Sequence, residues 1–340
     1  MVKKYDVAVL GATGTVGQCM LEILSELEFP VNQLFPLASH RSAGETVLFN
    51  GLPVNVQDVE QFDFAKAQIA LFSAGAKVSA IYAPIAAAKG CVVIDNTSHF
   101  RMDDAVPLVI SEVNPQDIAQ YKNKNIIANP NCSTMQLLVA LKPIYDAVGI
   151  TRINVATYQS VSGTGKAAIE ELSKQTQDLL SGRDIQSEVY PIQIAFNVIP
   201  HIDIFESNGY TKEEMKIVRE TKKILNDPDI LVNPTAVRVP VFYGHSEAVH
   251  IETKSKITAN QARELLAKAP GIVVKDELLD RGYPSPVLDA SGTNEVFIGR
   301  IREDISHPLG LNLWVVSDNI RKGAALNSVQ IAQILVRDYL

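Results

Sequence analysis

The run Val7-Ala8-Val9-Leu10 ends in Gly11-Ala12-Thr13-Gly14-Thr15-Val16-Gly17, after which Met20, Ile23, Leu24 and Leu27 recur at a helical period. An apolar run, a glycine turn and an amphipathic helix together make the opening of a βα unit. The alternation continues. Residues 34–38, 69–72, 92–94 and 126–127 are further strand candidates, and the Ala-rich stretch 80–88 has helical character. These runs are apolar throughout rather than every second residue, as strands covered on both faces must be. The first part of the chain is therefore predicted to be α/β, a Rossmann-type domain with a mainly parallel sheet between helices.

The texture changes after Asn129-Pro130-Asn131. A helix is predicted over 133–148, followed by longer strands with polar alternation at 153–161 and 248–254. This pattern suits an α+β domain with a mixed sheet and one open face. Thr211 with Glu214 three residues on reads as a capping box. Residues 319–340 carry Leu326, Val329, Ile331, Ile334 and Leu335 as one apolar stripe, a helix expected to return to the first domain. The chain of 340 residues then divides into a first, nucleotide-type domain, 1–131 plus 319–340, and a second domain, 132–318.

Composition narrows the function. With 38 acidic and 31 basic residues, a net charge of -7 and no Lys/Arg block, neither nucleic acid nor an anionic membrane is an expected partner. No apolar run reaches spanning length and no leader precedes the first strand, so a cytoplasmic protein is expected. Cys19, Cys91 and Cys132 are too few and too far apart for a disulfide framework or a zinc site, and no metal is expected.

The glycine turn, spaced G-x-x-G-x-x-G, is a variant of the dinucleotide fingerprint. Small residues let the backbone approach a pyrophosphate at a helix N-terminus. Alone it is also compatible with a plain tight turn. At the end of the second strand an NAD enzyme usually carries a carboxylate, but Ser39-His40-Arg41-Ser42 has none. Arg41 flanked by serines suits a 2′-phosphate and argues for NADP; a solvated loop arginine is the alternative.

Cys132 joins a strand to a helix among Asn129, Asn131, Ser133 and Thr134. A helix N-terminus favours the thiolate, which marks Cys132 as a nucleophile. Cys19 and Cys91 fit buried structural positions. Six histidines could serve as its acid/base partner, and spacing does not choose among them. His245 follows a turn at Tyr243-Gly244, and the chain reversal brings it within reach of Arg238, a grip for a carboxylate. Arg101 follows a buried strand, where doubly wound sheets bind ligands. Lys216 lies one turn from Glu213, which by itself reads as an i,i+3 ion pair.

Together these segments resemble the aspartate-β-semialdehyde dehydrogenase family over essentially the full length. The segments are residues 11–17, 39–44 and 129–134, Tyr158-Gln159-Ser160-Val161-Ser162-Gly163-Thr164-Gly165, Glu213-Glu214-Met215-Lys216, and residues 238–245. The resemblance implies that Cys132 is an acyl-thioester nucleophile, His245 the general acid/base, and Gln159 an orienting group. It implies Arg238 on the substrate carboxylate, Arg101 and Lys216 on phosphate, and Glu213 beside the substrate. It implies NADP contacts from Gly11, Thr13, Gly14, Thr15, Val16, Arg41, Ser42, Ser162, Gly163 and Asn319. A homodimer and a biosynthetic role toward lysine, threonine, methionine and isoleucine follow from the same resemblance. Two rivals remain: an N-acetyl-glutamyl-phosphate reductase, and a dinucleotide-binding regulator without catalysis.

Overall fold

A computed structural model describes residues 3–340; Met1 and Val2, at the head of the expected first domain, lie outside the described residues. The chain forms two units, one through Asn131 together with Gly323–Leu340, the other Cys132–Lys322.

The first unit contains β1 (Tyr5–Leu10), α1 (Thr15–Glu26), β2 (Val31–Ala38), β3 (Thr46–Phe49), β4 (Leu52–Asn55), β5 (Gln57–Asp58), β6 (Ile69–Phe72), α2 (Ala76–Ala88), β7 (Val92–Asp95) and β8 (Ile126–Ala128). Six of the strands pair in parallel in the order β5-β2-β1-β6-β7-β8. The order reverses direction between β1 and β6, the switch point where such sheets bind nucleotides. Every residue of β6 and β7 is buried, the reason their sequences are apolar without alternation. β3 and β4 form a separate antiparallel hairpin that the strand reading did not include. Its turn, Asn50-Gly51, has both residues at positive φ (51° and 73°), as a two-residue primed turn requires.

The second unit contains α3 (Cys132–Val148), β9 (Ile150–Gln159), α4 (Lys166–Leu180), α5 (Lys212–Leu225), β10 (Leu231–Arg238), β11 (His245–Thr253), α6 (Ala259–Leu266), β12 (Ile272–Val274), β13 (Val296–Glu303) and β14 (Gly310–Ser317). Its sheet, β10-β9-β11-β14-β13-β12, is mixed: β10 with β9 and β12 with β13 are parallel, the other pairs antiparallel. The fold class is therefore α/β, a parallel nucleotide-type sheet with a second, mixed sheet. Residues 133–141 of α3 are all buried, and the helix packs on β9, β11, β13 and β14. Alternate residues of β9 and β11 turn away from α3 and are partly exposed, which gives the predicted open face.

Two local expectations change. The helix predicted from 319 begins only at Asn327 and ends at Asp338 (α7); residues 321–326 form a π-helical turn instead. Asp318 Oδ1 accepts the Ile320 and Arg321 N–H groups, which starts that turn, and residues 319–322 stay with the second unit. α7 itself lies in the first unit, where Asn327 Nδ2 donates to the Val109 carbonyl and the Ser111 N–H donates to Asn327 Oδ1. Second, β10 and β11 are not neighbours. β9 lies between them, and residues 239–242 run alongside 159–162, with Val161 N–H donating to Val241 O.

Candidate active site

Topology alone gathers most of the predicted side chains at one end of the second sheet. β9 and β10 are parallel with Gln159 and Arg238 paired at their C-terminal ends. β11 runs the other way, so its first residue, His245, lies at that same end. α3 is followed directly by β9 and must run back along it, which returns the helix start, Cys132, to the Gln159 end. A 17-residue helix is roughly 25 Å long and a ten-residue strand roughly 33 Å, so the two span comparable lengths. α5 precedes β10 in the same way and brings Glu213 to the Arg238 end.

Cys132 is the first residue of α3 and partly exposed, the position in which a helix favours a thiolate. Cys91 is fully buried and burial pushes its thiol up to about 12; Cys19 is buried on α1.

Among the six histidines only His245 is buried, with no exposed surface. The Ser160 N–H donates to His245 Nδ1 at 3.0 Å, so the neutral ring carries its proton on Nε2. Burial first, and then the nearby Arg238 charge, lower its pKa to about 3, so the ring stays neutral. Nε2 is buried without a partner among the described residues. Arg238 is also buried; Nη1 donates to the Ser160 carbonyl, while Nε has no partner there. Gly163 joins the two. A Cβ on it would lie 3.3 Å from Arg238 Nη1 and from His245 Cε1 and Nε2. The site thus holds a neutral donor and a cation, each with a buried N–H unspent, beneath a glycine whose missing side chain leaves them tight but uncrowded.

Gln159 is buried, and its Nε2 donates to Glu213 Oε1 at 3.1 Å. Lys216 donates to Glu213 and to Asp203, both at 2.9 Å. Burial works to lower the Lys216 pKa, but the two carboxylates outweigh it and raise the pKa. The i,i+3 pair expected from sequence is therefore present, with Asp203 added. The capping box is present too: Thr211 Oγ1 accepts the Glu214 N–H and Glu214 takes the Thr211 N–H, which fixes the α5 start beside Glu213.

Sequence reasoning missed two contributors, Ser160 and Glu247, and gave a third another place. Asn319 was expected at the cofactor. Its side chain is buried and accepts from Ser160 Oγ, Ser162 Oγ and the Gly244 N–H, so it ties the loop before His245 to the loop after β9. Ser160 carries the N–H and carbonyl that orient His245 and Arg238. Glu247, two residues after His245 on the same face, is wholly buried. Desolvation raises its pKa well above the ordinary value, against a lesser pull from Gln136 on α3. Its periodicity as an inward strand residue was the only available signal.

In the first unit, Arg101 Nε donates to the Asn129 carbonyl and Nη2 to the Asn96 carbonyl at the C-terminal end of β7, where the guanidinium is buried. The glycine turn is built for close approach. Gly11 has φ 89°, and a Cβ on Gly17 would lie 2.1 Å from the Gly11 carbonyl oxygen. α1 starts behind Gly14 with no side-chain cap and no acid in its first turn, so its terminal N–H groups suit a pyrophosphate. Thr13, Thr15 and Val16 are partly exposed around that turn. Arg41 is exposed beyond the end of β2, beside the partly exposed Ser42. The register partner of Ala38 is Asp58, but its carboxylate caps the turn at Glu60. The glycine turn and the uncapped start of α1 thus fit a dinucleotide.

Residues 6–121 match the semialdehyde dehydrogenase NAD-binding domain, and residues 141–322 match the semialdehyde dehydrogenase dimerisation domain. An aspartate-semialdehyde dehydrogenase from Shewanella violacea is 64% identical, with the match covering all of both chains. The chain belongs to the aspartate-semialdehyde dehydrogenase family. Members of this family are oxidoreductases. The crystal structure of aspartate semialdehyde dehydrogenase II from Vibrio cholerae, complexed with ASA, superposes with a TM-score of 0.98 at 61% identity, covering 100% of each chain. The Candida albicans family member, solved with NADP, has a TM-score of 0.76 at 26% identity and 98% coverage of each chain. Among the described residues, no helix is long and apolar enough to cross a membrane.

Proposed function

We propose that this chain catalyses NADPH-dependent reductive dephosphorylation of L-aspartyl-4-phosphate to L-aspartate-4-semialdehyde, through a thioester on Cys132. The observation that carries the reading is the pair of unspent buried N–H groups on His245 and Arg238 under Gly163, at the sheet end where α3 begins with Cys132.

The Cys132 thiolate attacks the acyl carbon, and the carbon–oxygen bond to phosphate breaks. Arg238 holds the substrate carboxylate, while Gln159 and Glu213, already bonded to each other, orient the acyl unit. Lys216 meets the departing phosphate, and Arg101 is assigned to it on its place at the end of β7. A phosphate at Lys216 displaces one of two carboxylates, and Asp203 is the more exposed of them. When bound, the nicotinamide supplies a hydride to the thioester carbon. The His245 Nε2–H donates to the resulting oxyanion, a role that needs a neutral ring fixed in advance. Collapse then expels the Cys132 sulfur as thiolate and leaves the aldehyde. Splitting the reduction at a thioester replaces one difficult step by two easier ones.

For the cofactor, Gly11, Thr13, Gly14, Thr15 and Val16 would surround the pyrophosphate. Arg41 and Ser42 would hold the 2′-phosphate, which selects NADP over NAD. The Candida albicans relative solved with NADP supports this choice. Gly163 would reach the cofactor through its exposed backbone. The assigned contacts of Ser162 and Asn319 compete with the bonds they make to each other. We further propose a cytoplasmic homodimer formed through the second unit, in line with the dimerisation domain it matches, serving lysine, threonine, methionine and isoleucine biosynthesis.

The test is phosphate-dependent NADP reduction with L-aspartate-4-semialdehyde against N-acetyl-glutamate-5-semialdehyde. Turnover of the first alone is expected. Turnover of the acetylated compound alone would make the chain an N-acetyl-glutamyl-phosphate reductase, and turnover of neither would favour the non-catalytic regulator.

A further inference from the structure

The segment 183–205, between α4 and α5, contains no regular helix or strand, yet it is anchored from three sides. Glu171, buried on α4, accepts the backbone N–H groups of Glu188, Val189 and Tyr190. One turn further on, Gln175 Oε1 accepts those of Ile194 and Ala195, and its Nε2 donates to the Gln186 carbonyl. Tyr190, Ile194, Ala195 and Ile199 then close a small core with Val161, Ala168 and Leu172.

This segment grips Arg238 twice. Ile199 exchanges backbone hydrogen bonds with it, at 2.9 Å and 2.8 Å. The Tyr190 ring lies against the guanidinium, with its centroid 5.8 Å from Cζ. The Tyr190 hydroxyl donates to Thr164 Oγ1 at 3.1 Å, while packing in the small core holds the ring itself. Among the described residues the guanidinium otherwise has one hydrogen bond, from Nη1 to the Ser160 carbonyl. One bond leaves a fork free to rotate; an aromatic face beside it removes that freedom and favours the cation over bulk water.

We propose that Tyr190 is a positioning residue for substrate recognition: its ring holds Arg238 in the orientation that receives the substrate carboxylate. This rests on the assignment of Arg238 to that carboxylate. It separates two roles on one wall of the site. Tyr190 sets how tightly the carboxylate end is held, whereas Cys132 and His245 act at the aldehyde end.

The experiment compares Tyr190→Phe, Tyr190→Leu and Arg238→Leu with the wild-type protein in the phosphate-dependent oxidation direction. The substrates are L-aspartate-4-semialdehyde and 3-aminopropanal, the same aldehyde without its carboxylate. Tyr190→Leu fills the space but has no π face, so KM for the semialdehyde rises roughly tenfold with kcat within about twofold of wild type. Tyr190→Phe keeps the face and stays within about twofold in both. On 3-aminopropanal, kcat/KM is unchanged by either Tyr190 substitution. An unchanged semialdehyde KM in Tyr190→Leu overturns the proposal, and so does an equal loss on both aldehydes, which would indicate general damage to the site. Arg238→Leu separates the two layers. If it leaves the semialdehyde KM unchanged, the carboxylate assignment fails and the Tyr190 role with it. If it raises KM while Tyr190→Leu does not, only the Tyr190 role fails.

Discussion

Acidification from about pH 7.5 to pH 5.0 protonates an ordinary histidine, whose pKa is about 6.5. His245 has a pKa of about 3 in the folded protein, because it is wholly buried beside Arg238 with Nδ1 occupied by the Ser160 N–H. Unfolding frees the ring, so over this interval the unfolded chain binds a proton that the folded chain refuses. Stability therefore falls as the pH drops through 6.5 and continues to fall toward 3. The free-energy change depends only on the folded pKa lying below the working range. It is RT times the logarithm of the ratio of the unfolded-state binding terms at the two pH values, which comes to about 2 kcal/mol from this one residue. His245→Gln lacks the titration. The single tryptophan, Trp314 on β14, lies in the same unit as His245 and reports its unfolding directly. Urea unfolding of both proteins at the two pH values, followed by tryptophan emission, should show the wild type losing about 2 kcal/mol more than the variant. Equal losses would mean that His245 accepts a proton in the fold, and the neutral-donor role would be wrong.

Three further outcomes follow from the same geometry. Arg41→Ala should weaken NADPH binding roughly tenfold while leaving NADH binding unchanged, as measured by fluorescence titration; equal affinity of both proteins for NADPH removes the 2′-phosphate role. At about pH 8, iodoacetamide should label Cys132 well before Cys91, whose thiol burial pushes up to about 12; mass spectrometry of digested protein reads the order, and equal labelling contradicts it. Asp203→Asn removes the more exposed of the two carboxylates on Lys216, so KM for phosphate should fall severalfold; a rise would mean that Asp203 helps to hold Lys216 for its ligand.

The first unit was the more legible part of the chain because its central strands β6 and β7 are buried on both faces and Gly17 is forced. A Cβ at Gly17 meets the Gly11 carbonyl, and no other residue type permits that turn. The hairpin β3–β4 was equally open to reading from Asn50-Gly51, a strong turn signal. In the second unit, the start of α3 beside Cys132 and the capping box of α5 were open to reading. The rest depends on long-range pairing. That β9 intervenes between Arg238 and His245, that Asn319 returns over a gap of 159 residues to Ser160, and that Glu247 is buried are products of sheet order, which local patterns do not encode. Tyr190 sits in a stretch without periodicity, and its role appears only once Glu171 and Gln175 have drawn that stretch onto α4.

The central claim is a covalent acyl group on Cys132, and the direct measurement is intact-protein mass spectrometry after mixing with L-aspartate-4-semialdehyde and NADP in the absence of phosphate. Without phosphate to release it, the acyl group should remain on the protein as a mass increase of one aspartyl unit, mapped by digestion to the peptide containing Cys132 and absent in Cys132→Ala. Turnover on addition of phosphate with no such adduct beforehand, or an adduct that persists in Cys132→Ala, would contradict the account.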